Sequence, residues 1–334
     1  MSPNPTVLIT GINGYIGSHI ADQFLIAGYD VRGTARTIEK GQVIKKALTE
    51  KHGDDRVEIV PVPNIAADGA FDQAVKGVEA VAHVASILSF DKDASKVVPD
   101  TVASTTSILK SCLNEPSVKS FVFTSSSSAT CHPKPNVKRY IDSNSWNDED
   151  AQDAWKPESE WQEGHQWIVY GASKTEAERA VWKFRDEEKP AFIVNAVLPA
   201  TTFGPVLSRD AISSSGSFVK MIYEGHILPI QELPPQYWVD VQDVGRLHVA
   251  AVRFPDVNGR CIFAWVDGFN WNRGLKVLRE LRPDHKFPDD IPDLGDDMTT
   301  IDNSEDEKLL VRMGRKGWIS FRESMDKSLK SFGY

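Results

Sequence analysis

Tyr170 and Lys174 stand four residues apart, a spacing that puts two side chains on one face of a helix, one turn from each other. A free tyrosine ionises at a pKa of ~10. An ammonium beside it favours the phenolate, so the pair predicts a phenol able to give and accept a proton near neutral pH. Upstream, Phe123-Thr124-Ser125-Ser126-Ser127-Ser128 reads as a strand that ends in hydroxyls, with Ser126 placed to hydrogen-bond an oxygen held by the phenol. Either signal alone is a chance spacing, but a third gives them a context. Gly11, Gly14 and Gly17 follow the β-branched run Val7-Leu8-Ile9-Thr10 and lead into Ile16, Ile20, Phe24 and Ala27 at helical spacing, closed by Gly28. Strand, glycine loop and helix together form a pyrophosphate site. The first glycine makes the tight turn, the second lets backbone approach the phosphates, and the third lets helix and strand pack. The helix N-terminus supplies free N–H groups.

The end of the second strand sets the choice of dinucleotide. NAD needs a carboxylate there for the ribose 2′-hydroxyl. The run Val31-Arg32-Gly33-Thr34-Ala35-Arg36 has none, and Lys40 follows a turn later. A guanidinium grips a 2′-phosphate bidentately and an ammonium adds a point charge, so NADPH/NADP is the expected cofactor.

The elements that must carry these groups alternate. Strands are expected at 29–35, 57–62, 81–85, 121–124 and 192–198, and helices at 71–76, 101–112 and 176–188. Such alternation predicts an α/β fold, a Rossmann-type doubly wound parallel sheet. Beyond Pro199 the pattern is broken by Gly, Ser and Pro (Pro234-Pro235 among them), which predicts a smaller C-terminal substrate lobe without a core of its own. The expected division is 1–199 for the dinucleotide domain, with an insert at about 131–168, and 200–334 for the lobe, with a return segment at about 236–270 on the core. Ser304 with Glu307 and Ser320 with Glu323 have the form of capping boxes opening the last two helices, the second carrying an apolar stripe of Met325, Leu329 and Phe332.

Composition removes other classes. The chain has 334 residues, 41% hydrophobic and 25% charged, within the ordinary globular range. Lys+Arg 38 against Asp+Glu 47 gives a net charge of −9. Nine of the carboxylates lie between Phe287 and Glu307, a stretch without Lys or Arg, so the remainder is near neutral and no nucleic-acid partner is expected. The run Asp289, Asp290, Asp293, Asp296 and Asp297 reads as a solvated loop leading to the Ser304 cap. It lacks the EF-hand register, no HExxH occurs, and Cys131-His132 has no ligand spacing, so no metal is expected. Three cysteines without a CxxC predict reduced thiols and a cytoplasmic protein. No apolar run approaches ~18 residues and no cleaved leader is expected, so no membrane partner is either.

The ordered motifs Thr10-Gly11-x-x-Gly14-x-x-Gly17, His83-Val84-Ala85-Ser86, Val122-Phe123-Thr124-Ser125-Ser126 and Tyr170-Gly171-Ala172-Ser173-Lys174 resemble those of the extended short-chain dehydrogenase/reductases. Within that family the chain is most similar to the branch of dihydroflavonol, cinnamoyl-CoA and methylglyoxal reductases. His132-Pro133-Lys134-Pro135-Asn136, Lys174-Thr175-Glu176-Ala177-Glu178, Asn195-Ala196-Val197-Leu198-Pro199, Pro234-Pro235-Gln236-Tyr237 and Gly314-Arg315-Lys316-Gly317-Trp318 look like fungal NADPH-dependent aldehyde reductases over nearly the whole chain. The resemblance implies Tyr170 as proton donor, Lys174 on the nicotinamide ribose, and Ser126 rather than its neighbour Ser127 orienting a carbonyl. It further implies cofactor contacts from Gly11, Asn13, Gly14, Tyr15, Ile16, Gly17, Arg36, Lys40, Asn64, Ile65, Val84, Ala85, Leu198, Pro199, Ala200 and Thr201. Two departures stand out. Asn64 replaces the Asp usual near the adenine, and 100–104 lacks the Asn of a family-type proton relay.

Trp146, Trp155, Trp161 and Trp167, four of nine tryptophans, fall between Ser126 and Tyr170, either to line a pocket or to pin a long surface excursion. Phe90, Phe203, Phe218 and Trp238 are the candidate pocket residues. The expected activity is an NADPH-dependent carbonyl reductase acting on a small aldehyde or ketone, as a monomer or homodimer. Two other readings share the motifs: an NAD-retaining sugar-nucleotide epimerase or dehydratase, against which Arg36 argues, and a non-catalytic NADP sensor, against which Tyr170 and Lys174 argue.

Overall fold

A computed structural model describes residues 4–53, 56–211, 214–227 and 233–334. The short β-branched runs become β1 (Thr6–Thr10), β2 (Asp30–Ala35), β3 (Val57–Pro61), β4 (Ala80–His83), β5 (Ser120–Thr124), β7 (Ile193–Pro199) and β10 (Cys261–Ala264). They hydrogen-bond in the order β10-β7-β5-β4-β1-β2-β3, every pair parallel. The chain runs outward from β1 to β3, then returns to β4 on the other side of β1. That reversal opens the crevice at the carboxyl ends of β1 and β4 where such sheets bind ligands. Helices cover both faces: α1 (Tyr15–Ile26) and α2 (Ile38–His52) on one, α3 (Val98–Leu113) and α5 (His165–Glu188) on the other. Leu8, Val81, Phe121, Ile108 and Val181 pack below α3 and α5, whereas Val7, Ile9, Ile20, Phe24 and Ile44 pack below α1 and α2. This is the layered burial that parallel sheets require.

Between β5 and α5 the chain makes an excursion containing β6 (Arg139–Ile141) and α4 (Asp148–Asp153). It is not a free loop. β6 pairs in parallel with β12 (Thr299–Ile301), and Asn136 N donates to Asp296 O at 2.8 Å, so the acidic segment clasps the excursion. Beyond Pro199, β8 (Thr201–Phe203), β9 (Gln236–Asp240) and β11 (Gly268–Phe269) make a three-stranded sheet beside α6 (Phe218–Tyr223). Contrary to the broken sequence pattern, this half has an apolar cluster of its own. Phe203, Trp238, Phe269, Trp271, Phe321 and Leu329 pack together, and the aromatic rings meet mostly edge to face. The later chain also completes the main sheet. Helix Val241–Arg253 packs on α1, and β10 pairs with β7.

Three local expectations need correction. Residues 71–76 form turns closed by Val75 N to Phe71 O, not a helix. α5 begins at His165, eleven residues before the expected start at Glu176, which places Tyr170 inside it. Ser304 does not cap the helix Ser304–Arg312. Asn303 holds the cap position but its side chain does not cap the helix, donating to Trp265 O instead, and Ser304 N donates to Asp302 Oδ1 at 3.1 Å. Beyond the acidic loop, within the helix that follows it, one carboxylate turns inward. Asp306 is buried, bonded by Phe263 N at 2.9 Å and Arg260 Nη2 at 2.6 Å, and burial pushes its carboxyl up to about 6. Ser320 does cap its helix, accepting from Glu323 N.

Candidate active site

The loop between β1 and α1 is shaped by what its glycines lack. Gly11 has a φ of +67°, and a Cβ there would stand 3.1 Å from the Ala85 Cα. A Cβ on Gly17 would collide with the Gly11 carbonyl oxygen. Gly14, at the N-cap of α1, offers no side chain to its first N–H groups, which are left for a ligand. The carboxyl ends of β1 and β4 are tied by one hydroxyl. Thr10 Oγ1 accepts from Val84 N at 2.9 Å and Ala85 N at 3.0 Å, which leaves its proton for His83 Nδ1 at 2.9 Å. Burial drops His83 to about 3, so the ring is the neutral acceptor that this arrangement needs.

A cavity of about 1230 Å³ runs along this crevice. At one end it is lined by Gly11, Asn13, Gly14, Tyr15, Ile16 and Gly17, with Arg36, Lys40, Asn64 and Ile65 beyond them. The Arg36 and Lys40 side chains have no ion-pair partner among the described residues, so both charges face the cavity uncommitted. Val84, Ala85, Pro199, Ala200 and Thr201 continue the wall. Leu198 does not. It is buried in the sheet, and only its carbonyl is engaged, by Trp265 Nε1 at 2.9 Å. Ser86 is an addition: it lines the cavity in the same run as Val84 and Ala85, and its buried hydroxyl has no partner among the described residues. A cradle that any Cβ would fill, two free cations and an unpartnered hydroxyl fit a dinucleotide carrying an extra phosphate.

Midway along the cavity, α5 presents Tyr170, Lys174 and Glu178 on successive turns of one face. Ser126, where β5 ends, is buried; its hydroxyl accepts from Ser128 N at 3.2 Å and acts on the Tyr170 phenol, drawing its pKa down. Ser127 also lines the cavity, but Ser126 is the serine that acts on the phenol. Lys174 Nζ donates to Thr124 O at 3.1 Å and lies 5.5 Å from the Phe123 ring centre. Burial pulls it down to about 8, with the Glu178 charge pulling upward. Glu178 is itself buried and accepts from Ser125 Oγ, from Trp182 Nε1 at 3.1 Å and from Cys261 Sγ at 3.4 Å. Three donors converging on it are the surroundings of an ionised carboxylate, although burial raises its pKa. The expected depression of the phenol is absent. Burial raises Tyr170 above its ordinary value and only Ser126 opposes this, because the ammonium is turned toward Thr124. The resting phenol therefore keeps its proton, which is the form that donates.

At the far end the rings of Phe90, Trp167 and Phe218 reach the cavity with Leu233, Pro234 and Gln236. Phe90, held at a φ of +51°, has its ring centre 5.0 Å from that of Trp167 and 6.2 Å from that of Tyr170. Phe203 and Trp238 are not at this wall. Both lie in the lobe core, where aromatic neighbours bury them. Of the four tryptophans between Ser126 and Tyr170 only Trp167 lines the cavity. Trp146 stacks under Arg179, Trp161 covers His165, and Trp155 is exposed. Trp167 is legible as the residue one turn before Tyr170 on the same helix face.

Comparison with known proteins agrees with this geometry. The pattern of the NAD dependent epimerase/dehydratase family matches residues 7–262. Aldehyde reductase 2 of Sporidiobolus salmonicolor is 41% identical over 323 residues, covering 96% of this chain and 93% of that protein. A ketoreductase of Penicillium rubens, adrE, is 32% identical over 97% of this chain and 95% of its own length. Among solved structures, the yeast methylglyoxal/isovaleraldehyde reductase complexed with NADPH superposes with a TM-score of 0.80 at 28% identity, covering 98% of this chain and 97% of that one. With the glycine cradle, the parallel sheet and the Tyr170–Lys174 pair in their places, the chain belongs to the NAD dependent epimerase/dehydratase family, within the extended short-chain dehydrogenase/reductases.

Proposed function

We propose that this protein is an NADPH-dependent carbonyl reductase that converts a small aldehyde or ketone to the alcohol. The observation that carries the reading is the opening of Tyr170 and Ser126 onto the same cavity as the glycine cradle and the uncommitted Arg36 and Lys40. NADPH bound there supplies the hydride that reaches the carbonyl carbon. The protein does the rest. Ser126 donates to the carbonyl oxygen and fixes its direction. Tyr170 donates its proton to that oxygen as negative charge develops on it. Lys174 steadies the tyrosinate left behind, and the apolar rings of Phe90 and Trp167 exclude water. Arg36 and Lys40 hold the 2′-phosphate, Ser86 and Thr201 hydrogen-bond the nucleotide, and Asn64 takes the adenine edge as an amide. Three free cysteines, none paired, suit a cytoplasmic setting.

The test is NADPH oxidation against a panel of aryl ketones, diketones and short aldehydes. Turnover on at least one is expected. Purified protein that carries tightly bound NAD and consumes no NADPH would overturn the reading in favour of an internal redox cycle.

The pH profile supplies a second test. Lys174 acts as a cation, and its pKa of about 8 lies below the ordinary lysine value. The charge is present below that pKa and lost above it, so kcat/KM is expected to fall as pH rises through about 8. Glu178 raises that pKa, so Glu178→Gln moves the fall to lower pH. An unchanged profile in Glu178→Gln would show that the carboxylate does not act on Lys174.

A further inference from the structure

The far end of the cavity holds a polar pair that the reduction itself does not use. His132 and Asp150 both line it, with His132 Nδ1 3.0 Å from Asp150 Oδ1 and 3.2 Å from Oδ2. Asp150 is buried and firmly held. Asn147 Nδ2 donates to its Oδ2 at 2.6 Å, and Asp150 N donates to Asn147 Oδ1 at 3.1 Å. The same Asn147 amide donates to Ser128 O at 2.8 Å, which ties the pair to the loop that carries Ser126. On the other side, a Cβ on Gly171 would overlap the Asp150 carboxylate, so the pair also abuts the turn of α5 that carries Tyr170. Arg139 Nη1 donates to His132 O at 2.6 Å and fixes the backbone beneath the ring.

Two donors that also line the cavity are committed elsewhere. Lys134 is paired with Glu149, and Gln236 Nε2 donates to Pro234 O at 3.1 Å. His132 Nε2 has no partner among the described residues. A carboxylate only accepts, so the Nδ1 that faces Asp150 carries the proton. In the neutral ring, Nε2 then offers a lone pair and no hydrogen. The same cavity is lined by Phe90, Trp167 and Phe218, which offer a ligand shape but no polar contact. An acceptor held in place by Asp150, in a cavity shared with the reacting tyrosine, favours a donor on the ligand.

We propose that His132, held by Asp150, accepts a hydrogen bond from a hydroxyl on the substrate, so that the site prefers carbonyl compounds bearing a second, free hydroxyl group. This rests on the carbonyl-reductase reading and specifies its substrate class. The experiment compares kcat/KM for matched carbonyls that differ only in hydroxyl against methoxyl: hydroxyacetone with methoxyacetone, and the three ring isomers of hydroxyacetophenone with their methyl ethers. In the native enzyme the hydroxyl member of at least one pair is preferred by about tenfold or more, the value of one hydrogen bond in a desolvated site. His132→Leu abolishes that preference. His132→Gln, whose amide oxygen can accept, restores part of it. Asp150→Asn turns the ring so that Nε2 carries the hydrogen, and loses the preference while keeping the imidazole. Absence of preference in every pair, or a preference that survives His132→Leu, overturns the inference while the reductase reading stands. Failure to reduce any carbonyl overturns both.

Discussion

Tyr170→Phe is expected to lower kcat by about a thousandfold, within the range for loss of a positioned general acid, while the dissociation constant for NADPH stays within about twofold. The phenylalanine keeps the ring and its contacts. Phe90 and Trp167, whose ring centres lie 6.2 Å and 6.4 Å from that of Tyr170, need not move. What is lost is one hydroxyl, kept protonated by burial. Without it the oxygen of the substrate must take its proton from water at the stage when charge is greatest, and water is what the apolar wall keeps out. Single-turnover NADPH oxidation separates this step from product release, and fluorescence of the bound dinucleotide measures the affinity. If Tyr170→Phe keeps more than a tenth of native turnover, the proton comes from elsewhere and the assignment fails.

Much of the site was legible because its chemistry depends on local rules. A glycine that must let backbone pass, as Gly11 does against Ala85, leaves a fixed mark in the sequence. So does a helical four-residue spacing, which brought Tyr170 and Lys174 to one face although the expected start of α5 fell after both. The sheet was legible because buried parallel strands are short β-branched runs. What escaped notice depended on tertiary contact. α2 buries only Gly41, Ile44 and Leu48, too thin a stripe to announce a helix. Phe203 and Trp238 have the composition of pocket residues, yet other rings bury them completely, and no period in the sequence separates a ring that faces a cavity from one that faces a core. The direction of the Tyr170 shift was misjudged for a related reason. Spacing gives the distance between two side chains along a helix but not what each has turned toward, and Lys174 had turned to Thr124. Glu178 and the pairing of Asp150 with His132 are likewise unreadable, since the partners Ser125, Cys261 and His132 come from distant turns or strands.

Exchanging Arg36 for Asp, together with Lys40→Ala, is expected to reverse the cofactor preference. The two cations end β2 and open α2, at the edge of the cavity where the ribose of a bound dinucleotide would lie, and neither is paired with a carboxylate among the described residues. A guanidinium meets a phosphate through two parallel charge-assisted bonds, and a carboxylate in its place repels the same group while offering an acceptor to a 2′-hydroxyl. Loss of those bonds corresponds to roughly a hundredfold in kcat/KM for NADPH. A gain for NADH of about tenfold brings the change in the NADPH/NADH ratio to roughly a thousandfold. The effect separates from damage to the active centre because kcat at saturating NADH depends on Tyr170, Lys174 and Ser126, which lie at the other end of the nucleotide site. Salt supplies an independent check. The native KM for NADPH rises with ionic strength, since exposed charges attract a phosphate through a screened field, whereas the variant's KM for NADH does not. A double variant that still prefers NADPH by the native ratio would mean that the 2′-phosphate is held by groups other than Arg36 and Lys40.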